Sequence, residues 1–185
     1  MKTKERIMRG FGVLGILAAL TIGAPGAWAD IFLRLDGVNG EATASGFQNQ
    51  IMIDSFEMGG ANTATAVRTG GASATKVQLK DLVLKKALDL ASPTLFLMMA
   101  SGKTIPNAQF AFRTTGENAV TYYKVTLTNV MITGIKQQGS STARPTEEVT
   151  FNYGTITFEY YAVKSTGGLG KSSVSGWDLT RNQKL

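Results

Sequence analysis

The sequence predicts a mainly β protein: a small two-sheet β-barrel or sandwich with one short flanking α-helix and an extended loop. Three observations predict it. From Asp30 onward, apolar and polar residues alternate in runs of the kind a half-buried strand requires. Two of the longest runs change phase midway. Tyr123, Val125 and Leu127 give way to Val130 and Ile132 near Asn129, and Val149, Phe151 and Tyr153 give way to Ile156, Phe158 and Tyr160 across Gly154. A bulge or a sharp barrel bend changes side-chain direction in this way, and long strands that bend suit a small barrel. Lastly, one segment carries clear helix punctuation. Ser92 reads as an N-cap, Pro93 as the first helical residue and Gly102 as the stop, with Leu95 to Ala100 apolar between them. A short, buried helix from about Pro93 to Ser101 follows.

In chain order, the first 29 residues read as an address. Lys2, Lys4, Arg6 and Arg9 precede the uncharged apolar run Gly10–Ala24, and Ala27-Trp28-Ala29 has the small-x-small pattern of a cleavage site. The run is about 15 residues, short of the roughly 20 that a membrane span needs. The expected layout is therefore a signal peptide over 1–29 and a single domain over 30–185, exported, with no stable membrane anchor after cleavage.

Cleavage changes the charge balance. The full chain has 19 basic and 13 acidic residues, of which the leader holds four and one; the remainder is 15 against 12, a net charge of +3 instead of +6. No dense basic patch interleaved with aromatics remains, so nucleic acid is not an expected partner. The sequence contains neither cysteine nor histidine. Disulfides are excluded, and so are the usual general base and the commonest metal ligand.

Ile31, Leu33 and Leu35 alternate with Arg34 and Asp36 as a first strand, Asn39-Gly40 is a turn signal, and Phe47 to Ile53 reads as a second strand. Residues Gly59–Ala74 are small, with two Gly-Gly pairs and few apolar anchors. A loop of about 15 residues demands a function or disorder. Within it, Gly59, Gly60, Asn62, Val67, Arg68, Gly70 and Gly71 are the candidate subunit-interface residues.

The segment Lys76–Asp89 is ambiguous by periodicity. Leu79, Leu82, Val83, Ala87 and Leu90 fit a helix; Leu82, Leu84 and Leu88 fit a strand. In either case Lys80, Lys85 and Lys86 are expected on a solvent-facing side. Phe110 and Phe112 mark the strand after the helix. Gln137–Pro145 reads as a polar loop, and 165–185 as a partly flexible tail that Trp177 docks back on the body.

No catalytic motif survives inspection. Ser165–Ser172, STGGLGKS, approaches a phosphate-binding loop, but the residues after it do not read as the helix such a loop needs. Glu147 and Glu148 are adjacent on a strand and so point to opposite faces. Ser73 and Lys76 have a Ser-x-x-Lys spacing without an apolar pocket around it. The protein is not expected to be an enzyme and needs no cofactor.

Several segments together carry a resemblance: Asp30–Ala42 (DIFLRLDGVNGEA), Lys76–Lys103 with its SPTLFLMMASGK, Glu117–Ile135, Pro145–Tyr161 with its TEEVTFNYGTI, and Gly176–Leu179 (GWDL). In order and spacing they resemble the haemolysin-coregulated proteins, the tube subunits of type VI secretion systems. The resemblance implies a strand for Lys76–Asp89. It also implies a homohexameric ring, stacking of rings into a tube, and partnership with sheath, spike and effector proteins. Gly59–Ala74 matches by position the family's extended arm, which contacts neighbouring subunits or rings. The leader departs from the family pattern, because tube subunits assemble in the cytoplasm. The alternative is an exported, periplasmic or secreted binding module on the same barrel, with a pocket lined by Tyr122, Tyr153 or Tyr160.

Overall fold

The computed structural model describes residues 29–62 and 77–185. The described strands are β1 (Asp30–Leu35), β2 (Ile51–Ile53), β3 (Ser55–Glu57), β4 (Gly60–Asn62), β5 (Val77–Leu79), β6 (Leu82–Ala87), β7 (Thr104–Arg113), β8 (Thr121–Ser140), β9 (Ala143–Asn152), β10 (Thr155–Val163), β11 (Leu169–Asp178) and β12 (Gln183–Lys184). Helix α1 (Ser92–Ser101) lies between β6 and β7.

One sheet runs β12-β11-β10-β8-β7-β1-β2, and a second path runs β3-β6-β9-β8. Two strands join them. β8 is 20 residues long; Tyr123–Thr128 pair with β10, and Met131–Ser140 pair with β9. β2 and β3 are two halves of one bent strand. β2 pairs with β1, β3 pairs with β6, and between them Asp54 N–H donates to the Lys85 carbonyl at 2.9 Å. The barrel is closed by these two bent strands.

Both phase changes are one structural event. Asn129 has φ +51°, and Gly154 N–H donates to the Thr128 carbonyl at 2.9 Å. A Cβ at Gly154 would lie 3.2 Å from the Asn129 Cβ. The side-chain direction therefore flips on neighbouring strands at the same level. Val125, Leu127, Val130, Ile132, Val149, Phe151 and Ile156 all reach the core as a result. Asn tolerates the left-handed region and a β-branched residue does not. Asn129→Val is expected to cost about 1–2 kcal/mol, and Asn129→Gly far less; thermal unfolding of the two variants checks this.

Phe110 sits at the centre of the core, edge-on to Phe151 with ring centroids 6.5 Å apart and tilted against Phe56 at 6.4 Å. α1 closes one side of the barrel by packing Leu95 and Met98 inward, against β8.

Several expectations are corrected. The first turn is at Asp36–Gly37, where Val38 N–H donates to the Leu35 carbonyl, and not at Asn39-Gly40. The second strand spans only Ile51–Ile53, because Asn49 takes φ +61° and ends the extended run. The described part of that segment, 77–89, holds two strands, β5 and β6, broken at Lys80–Asp81. Gln137–Pro145 is no loop: β8 and β9 continue across it, leaving a two-residue turn at Ser141–Thr142. The tail is not loose either. β11 pairs with β10 from Leu169 to Asp178, and Trp177 packs on the core as expected.

The helix begins one residue early. Ser92 is its first residue and Ala91 its N-cap, with no side-chain cap bond from Ala91. Asp89 Oδ1 takes the orphan amide of Ala91 instead, at 2.9 Å. Gly102 ends the helix with φ +63°, as the sequence predicts.

Candidate functional site

The structure contains two kinds of candidate: surfaces suited to assembly, and a buried polar cluster that holds one of them in place. The cluster begins with β6 and β9 in antiparallel register, which pairs Lys85 with Glu148 and Lys86 with Glu147. Alternation sends the two pairs to opposite faces. Lys85 and Glu148 form an exposed ion pair at 3.6 Å. Lys86 and Glu147 point inward and are 0% and 2% exposed, so the expectation of a solvent-facing Lys86 is wrong.

Lys86 Nζ donates to Glu147 Oε1 at 2.8 Å, to Asp89 Oδ1 at 2.6 Å and to the Ala87 carbonyl at 2.9 Å, with Ser92 Oγ at 3.2 Å. Ser92 Oγ donates to Glu147 Oε1 at 2.7 Å and accepts from Asp89 N–H at 3.1 Å. Gln137 Nε2 donates to the other Glu147 oxygen at 3.0 Å. Burial pushes the Glu147 carboxyl up, but hydrogen bonds from Lys86, Gln137 and Ser92 and the Lys86 charge outweigh it. The carboxyl is held below its ordinary range. The cluster ties the first turn of α1 to β6, β8 and β9. Its lysine is engaged by carboxylates on two sides, an arrangement suited to a fastening and unsuited to a free base.

What it fastens is unusual. α1 carries no charged residue anywhere along SPTLFLMMAS. A helix that is apolar all round belongs in an interior. Yet only its inner face is covered here, against the expectation of a buried helix: Phe96 is 56% and Leu97 66% exposed, and neighbouring Leu90 is 65% exposed. Contiguous exposed apolar side chains mark an interaction surface.

Of the interface candidates, Gly59, Gly60 and Asn62 lie at the base of the arm. Gly59 accepts from Lys80 N–H at 2.8 Å. Gly60 and Asn62 face Leu79 and Val77 across the β4–β5 ladder, so the arm starts as a paired ribbon and not as an open loop. A Cβ at Gly60 would come within 2.5 Å of Leu79 Cδ2, which favours glycine in this close pairing. Val67, Arg68, Gly70 and Gly71 lie outside the described residues, as do Ser73, Lys76 and the leader through Trp28.

The expected aromatic pocket is only partly assembled. Tyr153 is buried, its hydroxyl donating to the Lys80 carbonyl at 3.2 Å. Tyr122 and Tyr160 do come together, edge to face at 6.4 Å, in a groove with Thr114 and Val163. The STGGLGKS stretch forms the tip of the β10–β11 hairpin, where Gly167 has φ +85°, and its second half, from Leu169, is already part of strand β11, in place of a phosphate-binding helix. Among the described residues no group of acidic side chains could hold a metal, and no helix is long and apolar enough to cross a membrane.

Residues 32–160 match the protein family described as type VI secretion system effector, Hcp. The chain belongs to the Hcp family. It is 30% identical to protein hcp1 of Pseudomonas aeruginosa over 156 residues, which cover 83% of this chain and 96% of that one. Among solved structures, a type six secretion system protein superposes with a TM-score of 0.80 at 26% identity, covering 86% of this chain and 100% of the other. Hcp1 from Salmonella typhimurium superposes with a TM-score of 0.70 at 28% identity, over the same shares. The bent-strand barrel with α1 at its side is thus the Hcp fold.

Proposed function

We propose that the protein is the tube-forming subunit of a type VI secretion system. Six copies close into a ring, rings stack into a tube, and the tube carries or delivers effector proteins in company with sheath and spike. Its role is structural and involves no catalytic step. The leader over 1–29 favours the second reading, in which the single domain 30–185 is exported to the periplasm or the exterior and acts there as a binding module on the same barrel.

The observation that carries this reading is α1. On a chain with the Hcp fold, a helix without a single charge turns Phe96 and Leu97 outward. A head-to-tail ring needs such a patch on one side of the subunit and its complement on another. The β4–β5 ribbon leading into the arm supplies a second contact, and its candidate residues are Gly59, Gly60, Asn62, Val67, Arg68, Gly70 and Gly71.

Light scattering after size exclusion tests it on the chain beginning at Asp30. The expected mass is six times that of the subunit. Phe96→Asp with Leu97→Asp is expected to give monomer with unchanged β content, and removal of residues 63–76 to weaken the ring. A monomer for the unaltered chain at high concentration would overturn the ring and leave an exported barrel acting alone.

A further inference from the structure

We propose that Asp81 is a positioning residue: it latches the root of the β4–β5 ribbon to the barrel and so sets the direction in which the ribbon leaves it. Among the described residues, β4 and β5 form a sheet of their own, three residues to a strand, and share no ladder with the barrel strands. A two-stranded ribbon is marginally stable on its own in water. Its ladder holds two strands together but does not aim them, so the direction comes from the root.

The root is where the chain leaves the barrel and returns. Met58–Gly59 leads out of β3, and Lys80–Asp81 leads back into β6. Lys80 N–H closes the root by donating to the Gly59 carbonyl at 2.8 Å. Three barrel side chains converge on the returning strand. The Thr133 hydroxyl of β8 donates to Asp81 Oδ2 at 3.1 Å, and Asn152 Nδ2, at the end of β9, donates to Asp81 Oδ1 at 2.8 Å. The Tyr153 hydroxyl donates to the Lys80 carbonyl at 3.2 Å. The register of β8 makes room for this. Ile132 pairs with Phe151 and Gly134 with Thr150, so Thr133 is the extra residue of a bulge. A bulge re-aims a side chain, and this one is aimed at Asp81. Each bond alone is modest. Two bonds from neighbouring strands to the two oxygens of one carboxylate fix its plane, and with it the backbone that carries it.

Packing does not do the same work. A cleft of about 340 Å³ lies in the angle between root and barrel, with Met58, Gly59 and Lys80 on one wall and Val83, Lys85 and Glu148 on the other. Side chains leave this angle open, so the hydrogen bonds at Asp81 carry the orientation. The latch needs the shape of the side chain and not its charge. In Asp81→Asn the amide oxygen still accepts from Asn152. The amide nitrogen donates to the Thr133 oxygen, whose own proton turns to the Thr150 carbonyl, 3.4 Å away. In Asp81→Ala both bonds are gone. On the ring reading the ribbon is the second subunit contact, and Asp81 aims it at the neighbour. That consequence rests on the ring; the latch itself does not.

The sequence has no cysteine, so spin labels attach only where cysteines are introduced. Full-length chain carrying Phe96→Asp and Leu97→Asp is the background, so that no neighbouring subunit holds the ribbon. Labels at Gln78→Cys and Thr146→Cys report ribbon against barrel, and labels at Lys103→Cys and Thr146→Cys report barrel against barrel. Dipolar spectroscopy is expected to give one narrow ribbon distance in the background and in Asp81→Asn, and a distribution at least twice as wide in Asp81→Ala. Asn152→Ala, which keeps the Thr133 bond, falls between them. The barrel distance is expected to stay narrow throughout. An equally narrow ribbon distance in Asp81→Ala, an Asp81→Asn distribution as wide as that of Asp81→Ala, or equal widening of both label pairs would overturn the proposal. With Phe96 and Leu97 restored, Asp81→Ala is expected to weaken the ring; a ring of unchanged stability beside a widened ribbon would overturn the assembly consequence alone.

Discussion

Lys86→Met is expected to lower the unfolding free energy by about 3–5 kcal/mol, the usual cost of removing one partner from a buried ion pair. The substitution keeps the length of the side chain and removes only its charge and donors. Glu147, 2% exposed, then loses its cation, and Asp89 loses a 2.6 Å partner. An internal control lies one residue away. Lys85 and Glu148 sit on the same two strands, but their side chains are 63% and 35% exposed. Lys85→Met is expected to cost at most about 1 kcal/mol, because water screens and replaces the partner. Burial is the physical difference between the two. Adding Glu147→Leu to Lys86→Met is expected to recover part of the loss, since an apolar pair of similar volume leaves no orphaned charge. Urea unfolding of the four proteins measures the set. A loss below about 1 kcal/mol for Lys86→Met would mean that water reaches the cluster.

The same cluster sets an acid limit. The folded-state pKa of Glu147 lies below its ordinary value of 4.5. A depressed carboxylate contributes stability that is present above its unfolded value and lost as pH falls through the folded one. Unfolding midpoints are therefore expected to hold down to about pH 4.5 and then decline. Glu147→Gln should remove one share of that decline. Glu159, held low by the Tyr161 hydroxyl, and Asp178, held low by Thr180, keep theirs.

The strands were legible because alternation is a local signal. Val125 and Leu127 against Val130 and Ile132 announce the bend at Asn129, and Tyr153 against Ile156 announces its neighbour at Gly154. The buried cluster was legible in principle by the same rule and was hidden by residue type. Lys86 continues the inward series Leu82, Leu84, and Glu147 precedes the inward series Val149, Phe151. Lysine and glutamate suggest solvent until the pairing of β6 with β9 sets one against the other, and that pairing joins residues 61 apart. Ser92 reads as the cap in the sequence because nothing local shows that Asp89 reaches the orphan amide first. Phe96 and Leu97 look like core to any periodicity argument. Only the packing of α1 shows that Leu95 and Met98 fill the inner face and leave those two outside.

Gly40→Val is expected to destabilise the barrel by on the order of 3 kcal/mol or more, at the top of the range for forced overpacking. The reason is backbone and not rotamers. A Cβ at Gly40 would meet the Gln50 carbonyl oxygen, the Gln50 carbonyl carbon at 2.7 Å and the Ile51 Cα at 2.6 Å. Two hydrogen bonds fix this approach: Gly40 N–H to the Asn49 carbonyl at 2.8 Å and Ala42 N–H to the Gln50 carbonyl at 3.0 Å. The neighbours cannot rotate away, so the segment leading into β2 must move. β2 is three residues long, buries Ile51 and Ile53, and continues into the half-strand that closes the barrel on β6. Displacing it opens the seam. Gly102→Ala separates this steric cost from the conformational one. Gly102 has φ +63° and nothing within 4 Å of an added Cβ, so only backbone strain remains, about 1–2 kcal/mol. In Gly40→Val, hydrogen exchange at the Ile53 amide, on the β1–β2 ladder, is expected to accelerate well beyond that of Val125 at the sheet centre. If Gly40→Val cost no more than Gly102→Ala and left Ile53 protected, the close approach at Gly40 could not be what holds β2 in the barrel.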